Sequence, residues 1–287
     1  MKTISVKTKD IKKLKRYPLD NNITSTESSI YLYKNDFIEP SILLKKIFIN
    51  SKPNMTRKIE TIKKLEEYKE EYSLDELVVP HTKVKNKGEV IGFLIDEVDS
   101  IENLGLLLHN NNVLLKEKLK YLYKIKDILA KTISLDGDLF LGDLHEYNFL
   151  IDTNDELKVV DLDGAAVTSE EAIPSSYLAR DKKLKYINKY RFDKYGIPYP
   201  DTNSDIFCYY MMFLETIANH DISRLSMDEY YDYLNYLEDT GYNPNLLTVF
   251  HDLYSEGDNI LLLNIEELVP SNPTKAYYKV YKKVKNK

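Results

Sequence analysis

The sequence has one cysteine, Cys208, in 287 residues. That excludes an internal disulfide framework and fits a reducing compartment. Long apolar runs are missing as well. The longest, Ile206 to Leu214, covers nine residues, against the roughly 20 a helix needs to span a bilayer. The opening Met1-Lys2-Thr3-Ile4-Ser5 lacks the apolar core of a signal peptide. A cytoplasmic protein without a membrane partner is therefore expected. There is no excess of positive charge: the formal net charge of −6 argues against a general nucleic-acid binder. Glycine is scarce, nine in all, and none precedes Gly88. No internal repeat or low-complexity segment occurs, and the 24 tyrosines point to no function.

What is present is enough apolar sequence, 43%, to build one large domain or two small lobes. Its centre is Leu141-Gly142-Asp143-Leu144-His145-Glu146-Tyr147-Asn148-Phe149-Leu150-Ile151, followed by Val159-Val160-Asp161-Leu162-Asp163-Gly164. Apolar runs flank each acidic group, and the polar turn Asp152 to Glu156 between them reads as a hairpin connection. Asp143 is placed to accept the proton of an attacking hydroxyl. Asn148 and Asp161 offer the few hard oxygen donors that magnesium prefers when it bridges nucleotide phosphates. The bland alternative is a surface hairpin with an acidic turn. The apolar flanks oppose it, because they would bury groups that a surface turn leaves wet.

This spacing, Asp143-x-x-x-x-Asn148 and then Asp161-Leu162-Asp163, resembles the catalytic loop and metal-binding segment of the protein-kinase-like superfamily, where D-x-x-x-x-N precedes D-F-G. The resemblance extends over roughly residues 20 to 265. It implies an α+β, bilobal fold, with a small antiparallel sheet and one helix over residues 1–96 and a mainly helical lobe over 97–287. It also implies ATP and magnesium. Asp143 would be the catalytic base; Asn148 and Asp161 would hold the metal. Asp163 stands where the family has glycine, and would add a ligand or stiffen the turn. His145 stands where protein kinases place a lysine that steadies the transferring phosphate, which makes it a third catalytic candidate. The run Ile42-Leu43-Leu44-Lys45-Lys46-Ile47 resembles the V-A-I-K strand. Lys45 is the better match for the phosphate-pairing lysine, since Lys46 points to the other face. A helix over residues 55–72 would supply the glutamate that pairs with Lys45, either Glu60 or Glu66. Leu94 to Val98 looks like the hinge, whose backbone near Asp96 and Val98 would receive the adenine. The phosphate-covering loop falls on Asn21 to Ser29, where the family's glycines are absent.

Further elements complete the reading. Leu77 to Pro80 and Glu89 to Val98 read as strands around a turn at Lys85 to Gly88, and residues 111–134 as the longest helix. Residues 165–200 carry Arg180, Lys182, Lys183, Lys185, Lys189, Arg191 and Lys194, a basic stretch suited to an acidic or phosphorylated partner. Ser204-Asp205 reads as the cap of an apolar helix, resembling the one whose aspartate ties down the catalytic loop. The basic tail from Lys275 to Lys287 is expected to be partly mobile. The expected function is an ATP- and magnesium-dependent kinase acting on a hydroxyl, first of all a protein serine or threonine. Gly142-Asp143-Leu144-His145 favours a small-molecule kinase of the aminoglycoside or choline type as the runner-up. The missing glycines favour a pseudokinase scaffold, which intact Lys45, Asp143, Asn148 and Asp161 oppose.

Overall fold

A computed structural model of the chain describes residues 1–17, 28–34, 41–48, 55–135, 139–166, 173, 175–184, 187, 198–255, 260–270 and 277–286. The phosphate-covering loop expected at Asn21 to Ser29 lies outside these residues up to position 27, as do Lys185, Lys189, Arg191 and Lys194. The chain is α+β and divides into two compact units. One comprises Met1–Asn103 with Phe149–Asp163, the other Leu104–Asn148 with Gly164–Lys287. The first unit thus runs past the boundary expected at Asp96 and takes back a second, distant segment.

In the first unit, β1 (Lys2–Ser5), β2 (Ser28–Lys34), β3 (Ile42–Ile47), β4 (Thr82–Asn86) and β5 (Glu89–Asp96) form a five-stranded sheet in the order β1-β4-β5-β3-β2. Four strands pair antiparallel, as expected, but β1 joins β4 in parallel, so the sheet is mixed at one edge. Strand alternation puts Leu44, Val84 and Leu94 on one face, where Ile4, Leu14 and Tyr31 pack against them. Lys87 (φ 51°) and Gly88 (φ 87°) turn β4 into β5; two successive positive φ angles match the twist of the strands they join. The strand expected at Leu77 to Pro80 is not formed. Leu77 makes an isolated parallel bridge to Val159, and Pro80, lacking an N–H, cannot extend it into a ladder.

The short α1 (Thr8–Ile11) precedes the long helix of this unit, α2 (Met55–Tyr72), which buries Met55, Lys58, Ile62 and Leu65, the i, i+3, i+7, i+10 spacing of one helical face. A second sheet of β6 (Ser100–Asn103), β7 (Phe149–Asp152) and β8 (Leu157–Val159) has the order β6-β7-β8. The β7–β8 hairpin is the expected one. Asp152 Oδ1 accepts the amides of Asn154 (2.9 Å) and Glu156 (2.8 Å), which closes its turn.

The second unit is helical: α3 (Leu104–His109), α4 (Leu115–Ile133), α5 (Ser176–Arg180), α6 (Thr202–Ala218), α7 (Met227–Asp239), α8 (Pro244–Asp252) and α9 (Tyr278–Lys285). The stripe Leu115, Leu119, Leu122 and Leu129 of α4 is buried, and α4 packs on α6. Every residue from Ser204 to Leu214 of α6 is buried, as suits a helix apolar all round. Its cap is Asp201, whose side chain accepts from the Ser204 amide at 2.7 Å; Ser204 and Asp205 lie inside the first turn. Tyrosines fill much of the core. Tyr210 and Tyr230 are buried with their hydroxyls on the carbonyls of Leu261 (2.9 Å) and Phe250 (2.8 Å), which removes the cost of burying a phenol. Within the tail expected to be partly mobile, Tyr278–Lys285 form α9. Its Tyr281 is buried against Tyr233, and its Lys282 pairs with Glu229 of α7 at 2.6 Å. Among the described residues no helix is long and apolar enough to cross a membrane.

Candidate active site

Each unit gathers one group of the residues singled out in the sequence. In the first unit the gathering strand is β3, which lies between β2 and β5 and sets Lys45 opposite Ile30 and Phe93. The strands meet closely at Gly92: a Cβ there would stand 2.0 Å from the Lys45 carbonyl oxygen. Lys45 is buried, and its Nζ bonds both Asp161 and Asp163 Oδ1. Lys58 of α2, also buried, reaches the other oxygen of the same carboxylate, Asp163 Oδ2, at 2.5 Å. Acids and bases therefore alternate, Asp161–Lys45–Asp163–Lys58. Asp161 itself sits in the left-handed region (φ 64°), a conformation that costs a non-glycine residue energy and clusters at functional sites.

The cluster's electrostatics follow from its burial and its pairing. Burial opposes the charge on Lys45, and Asp161 and Asp163 more than offset this, raising its pKa. Burial likewise opposes the charge on Asp163, but Lys45 and Lys58 hold it well below the usual carboxylate range. Asp161 goes the other way. Desolvation, resisted by Lys45 and reinforced by the Asp163 charge, pushes it up to about 6. Even so, 44% of its side chain is exposed.

In the second unit the gathering element is the loop from Leu141 to Asn148. Asp205, buried at the start of α6, accepts the amides of Leu141 (2.8 Å) and Gly142 (3.1 Å). Gly142 has φ 70°, which lets the loop turn there. Asn148 Nδ2 donates to the Asp143 carbonyl at 2.8 Å, and its amide to the His145 carbonyl at 3.0 Å. The Ser175 hydroxyl donates to the Leu144 carbonyl at 2.6 Å. His145 Nε2 lies 3.7 Å from Asp143 Oδ1. The loop around Asp143 is thus tied from several sides, which restricts where its carboxylate can point. Complete burial pushes Asp205 up to about 7, although its two amide donors favour the anion.

Beside this loop lies a cavity of about 340 Å³, lined by His109, Glu146, Tyr147, Tyr177, Arg180 and Glu215 among others. Burial resists the charge on Glu146, yet His109 Nε2 (3.0 Å) and the Tyr177 hydroxyl (2.8 Å) lower its pKa. Arg180 Nη2 holds both oxygens of Glu215 at 2.9 Å. Arg180, expected in a basic surface for an acidic partner, is spent on a neighbouring acid.

The structure brings Lys45, Asp161 and Asp163 together, and separately Asp143, His145 and Asn148. It does not bring either expected glutamate to Lys45. Glu60 is exposed, and Glu66 pairs with the Met1 amino group at 2.8 Å. Asp96 faces His81 Nε2 at 3.4 Å, which lowers the Asp96 pKa. Near the expected adenine contacts, the Glu97 amide already donates to Ser41 (2.7 Å) and the Val98 carbonyl accepts from Ser100 (2.8 Å). Lys58 was not singled out in the sequence, although its place on the Met55–Ile62–Leu65 stripe marks it as buried. Glu146 also carried no signal beyond its place in the loop. For a magnesium ion the donor chemistry is uneven. Asp161 fits, with a hard carboxylate on a partly exposed side chain, whereas Asp163 has both oxygens engaged by ammonium groups. No protein-family model and no curated protein matches the chain.

Proposed function

We propose that this chain is an ATP- and magnesium-dependent phosphotransferase of protein-kinase-like architecture, passing the γ-phosphate to a hydroxyl, first of all a protein serine or threonine. The observation that carries the reading is the buried convergence of Lys45 on Asp161 and Asp163, side chains 116 and 118 positions apart in sequence. The resemblance assigns that lysine and the first of those acids to the same nucleotide phosphates. In that reading Lys45 would pair with a phosphate, Asp161 and Asn148 would each offer an oxygen to the ion, and Asp143 would take the acceptor's proton. Magnesium, when bound, supplies charge neutralisation at the phosphates. Asp163, engaged by two lysines, is assigned to positioning. His145 orients the Asp143 carboxylate or contacts the phosphate.

One observation favours a second reading, the catalytically weak scaffold. Lys45 and Asp161 neutralise one another directly, so nucleotide binding must first break a part-buried ion pair, at a cost that the solvent exposure of Asp161 reduces.

Labelled ATP, incubated with the protein, magnesium and either a cell lysate or a metabolite extract, separates the readings. The expected result is label in protein bands, reduced by about 10²-fold or more in Asp143→Asn, with magnesium-dependent nucleotide binding abolished in Asp161→Ala. Label in small metabolites alone moves the acceptor to the aminoglycoside or choline type. Magnesium-independent binding, or none, leaves the scaffold reading.

A further inference from the structure

We propose that Lys58 is a positioning residue: it keeps the buried Asp163 carboxylate balanced, so that Lys45 is able to leave that acid for a nucleotide phosphate. The inference rests on the phosphotransferase reading and adds to it a residue and a mode of coupling that the resemblance does not supply. That resemblance calls for an acid from α2 to hold Lys45. Here the helix turns a base into the core instead. Among its acids, Glu60 is exposed and Glu66 is on the Met1 amine. Lys58 is 1% exposed and ends 2.5 Å from Asp163 Oδ2.

The physical case is a matter of charge. Asp163 is 2% exposed, and a buried carboxylate stripped of its only cation is costly. If Lys45 were that only cation, any phosphate attracting Lys45 would leave Asp163 uncompensated, and the nucleotide would have to make up the difference. With Lys58 on the far oxygen, one ammonium remains when the other departs. Two carboxylates and two ammonium groups sum to zero in the absence of ligand. Phosphate and metal then add their own opposing charges. The link between α2 and the Asp161–Gly164 segment has the opposite polarity from a glutamate-to-lysine link, yet it joins the helix to the same region.

The test is a double-mutant cycle on Lys58 and Asp163, read in two ways. The first is unfolding of the metal-free protein in urea; the second is titration with magnesium and a non-hydrolysable ATP analogue. Lys58→Met is expected to weaken analogue binding at least 10-fold, and Lys58→Arg to hold it within about 3-fold. Adding Asp163→Asn to Lys58→Met is expected to recover most of both losses, because the uncompensated charge is then gone. A generic packing defect would not be rescued by removing a carboxylate. If the wild type binds the analogue but the losses of Lys58→Met and Asp163→Asn simply add in the double variant, the role of Lys58 alone is overturned. A wild-type protein that binds no analogue overturns the phosphotransferase reading, and with it the release of Lys45.

Discussion

Asp205 accepts two backbone amides of the Leu141–Asn148 loop while wholly buried, and the two facts pull on its charge in opposite directions. Burial prevails and its pKa rises from 3.8 to about 7. An acid with a raised folded-state pKa favours its protonated form on folding. That stabilisation is complete below the unfolded value and is lost as pH rises through about 7. The thermal stability of the wild type should therefore fall, relative to Asp205→Asn, as pH goes from 5 to 8. Melting curves of both proteins across that range check it, and a constant difference would show that Asp205 keeps an ordinary pKa. The aspartate's place near the loop was legible in the sequence, but the cap was misplaced at Ser204-Asp205. The cap is Asp201, four positions before Asp205 and paired with Ser204, and a run of Asp, Thr, Asn and Ser offers several equally good caps. Lys45 and Asp161 were legible because strand alternation and motif spacing fix them. The Lys45–Glu pairing was misread because most acids of α2 are solvent-facing and only burial distinguishes them. Lys58 was not read as inward-facing either, although it lies four and seven positions before the buried Ile62 and Leu65.

At the scale of the element, β3 carries the greatest constraint. It is hydrogen-bonded on both sides, and Gly92 of β5 lets the Lys45–Lys46 backbone come as close as it does. A methyl group at position 92 would enter the space of a carbonyl oxygen, which no rotamer change relieves. Gly92→Ala should therefore destabilise the protein by about 3 kcal/mol or more, measured by urea unfolding. It should also expose Lys45 to amine-labelling reagents that the wild type resists. An unchanged midpoint would mean that β5 shifts without cost. The helices and hairpin of the chain were readable because their periods of 3.6 and 2 are long and unbroken. The missing strand at Leu77 to Pro80 and the parallel edge strand β1 were not. Four apolar residues carry no sign of which partner they will find, and the direction of an edge strand depends on the far end of the sheet.

At the scale of the whole molecule, the chain builds its two units from interleaved segments and passes between them at Asn103–Leu104, Asn148–Phe149 and Asp163–Gly164. The first unit is consequently incomplete as a contiguous piece. A fragment of residues 1–103 keeps Lys45 and Lys58 but lacks Asp161 and Asp163, leaving two inward ammonium groups without their acids. Such a fragment should fail to give the sharp, cooperative unfolding transition of the intact chain, as followed by circular dichroism with urea. A cooperative transition would show that the five-stranded sheet tolerates both lysines alone. This interleaving was not legible beforehand, since no Pro- or Gly-rich linker marks the crossings.

The same chain order sets a timetable at the ribosome. Asn103 leaves the exit tunnel before Asp163 has been made, and at roughly 5–20 residues per second the interval between them lasts seconds. During that time the nascent unit holds both lysines, Lys45 on β3 and Lys58 on α2, and neither carboxylate. The last residues to arrive, the hairpin and Asp161-Leu162-Asp163, are also the ones that neutralise it. Completion of the first unit is thus timed by the same acids that the proposed reaction uses, and a substitution at Asp163 would act on the newborn chain before it acted on any nucleotide.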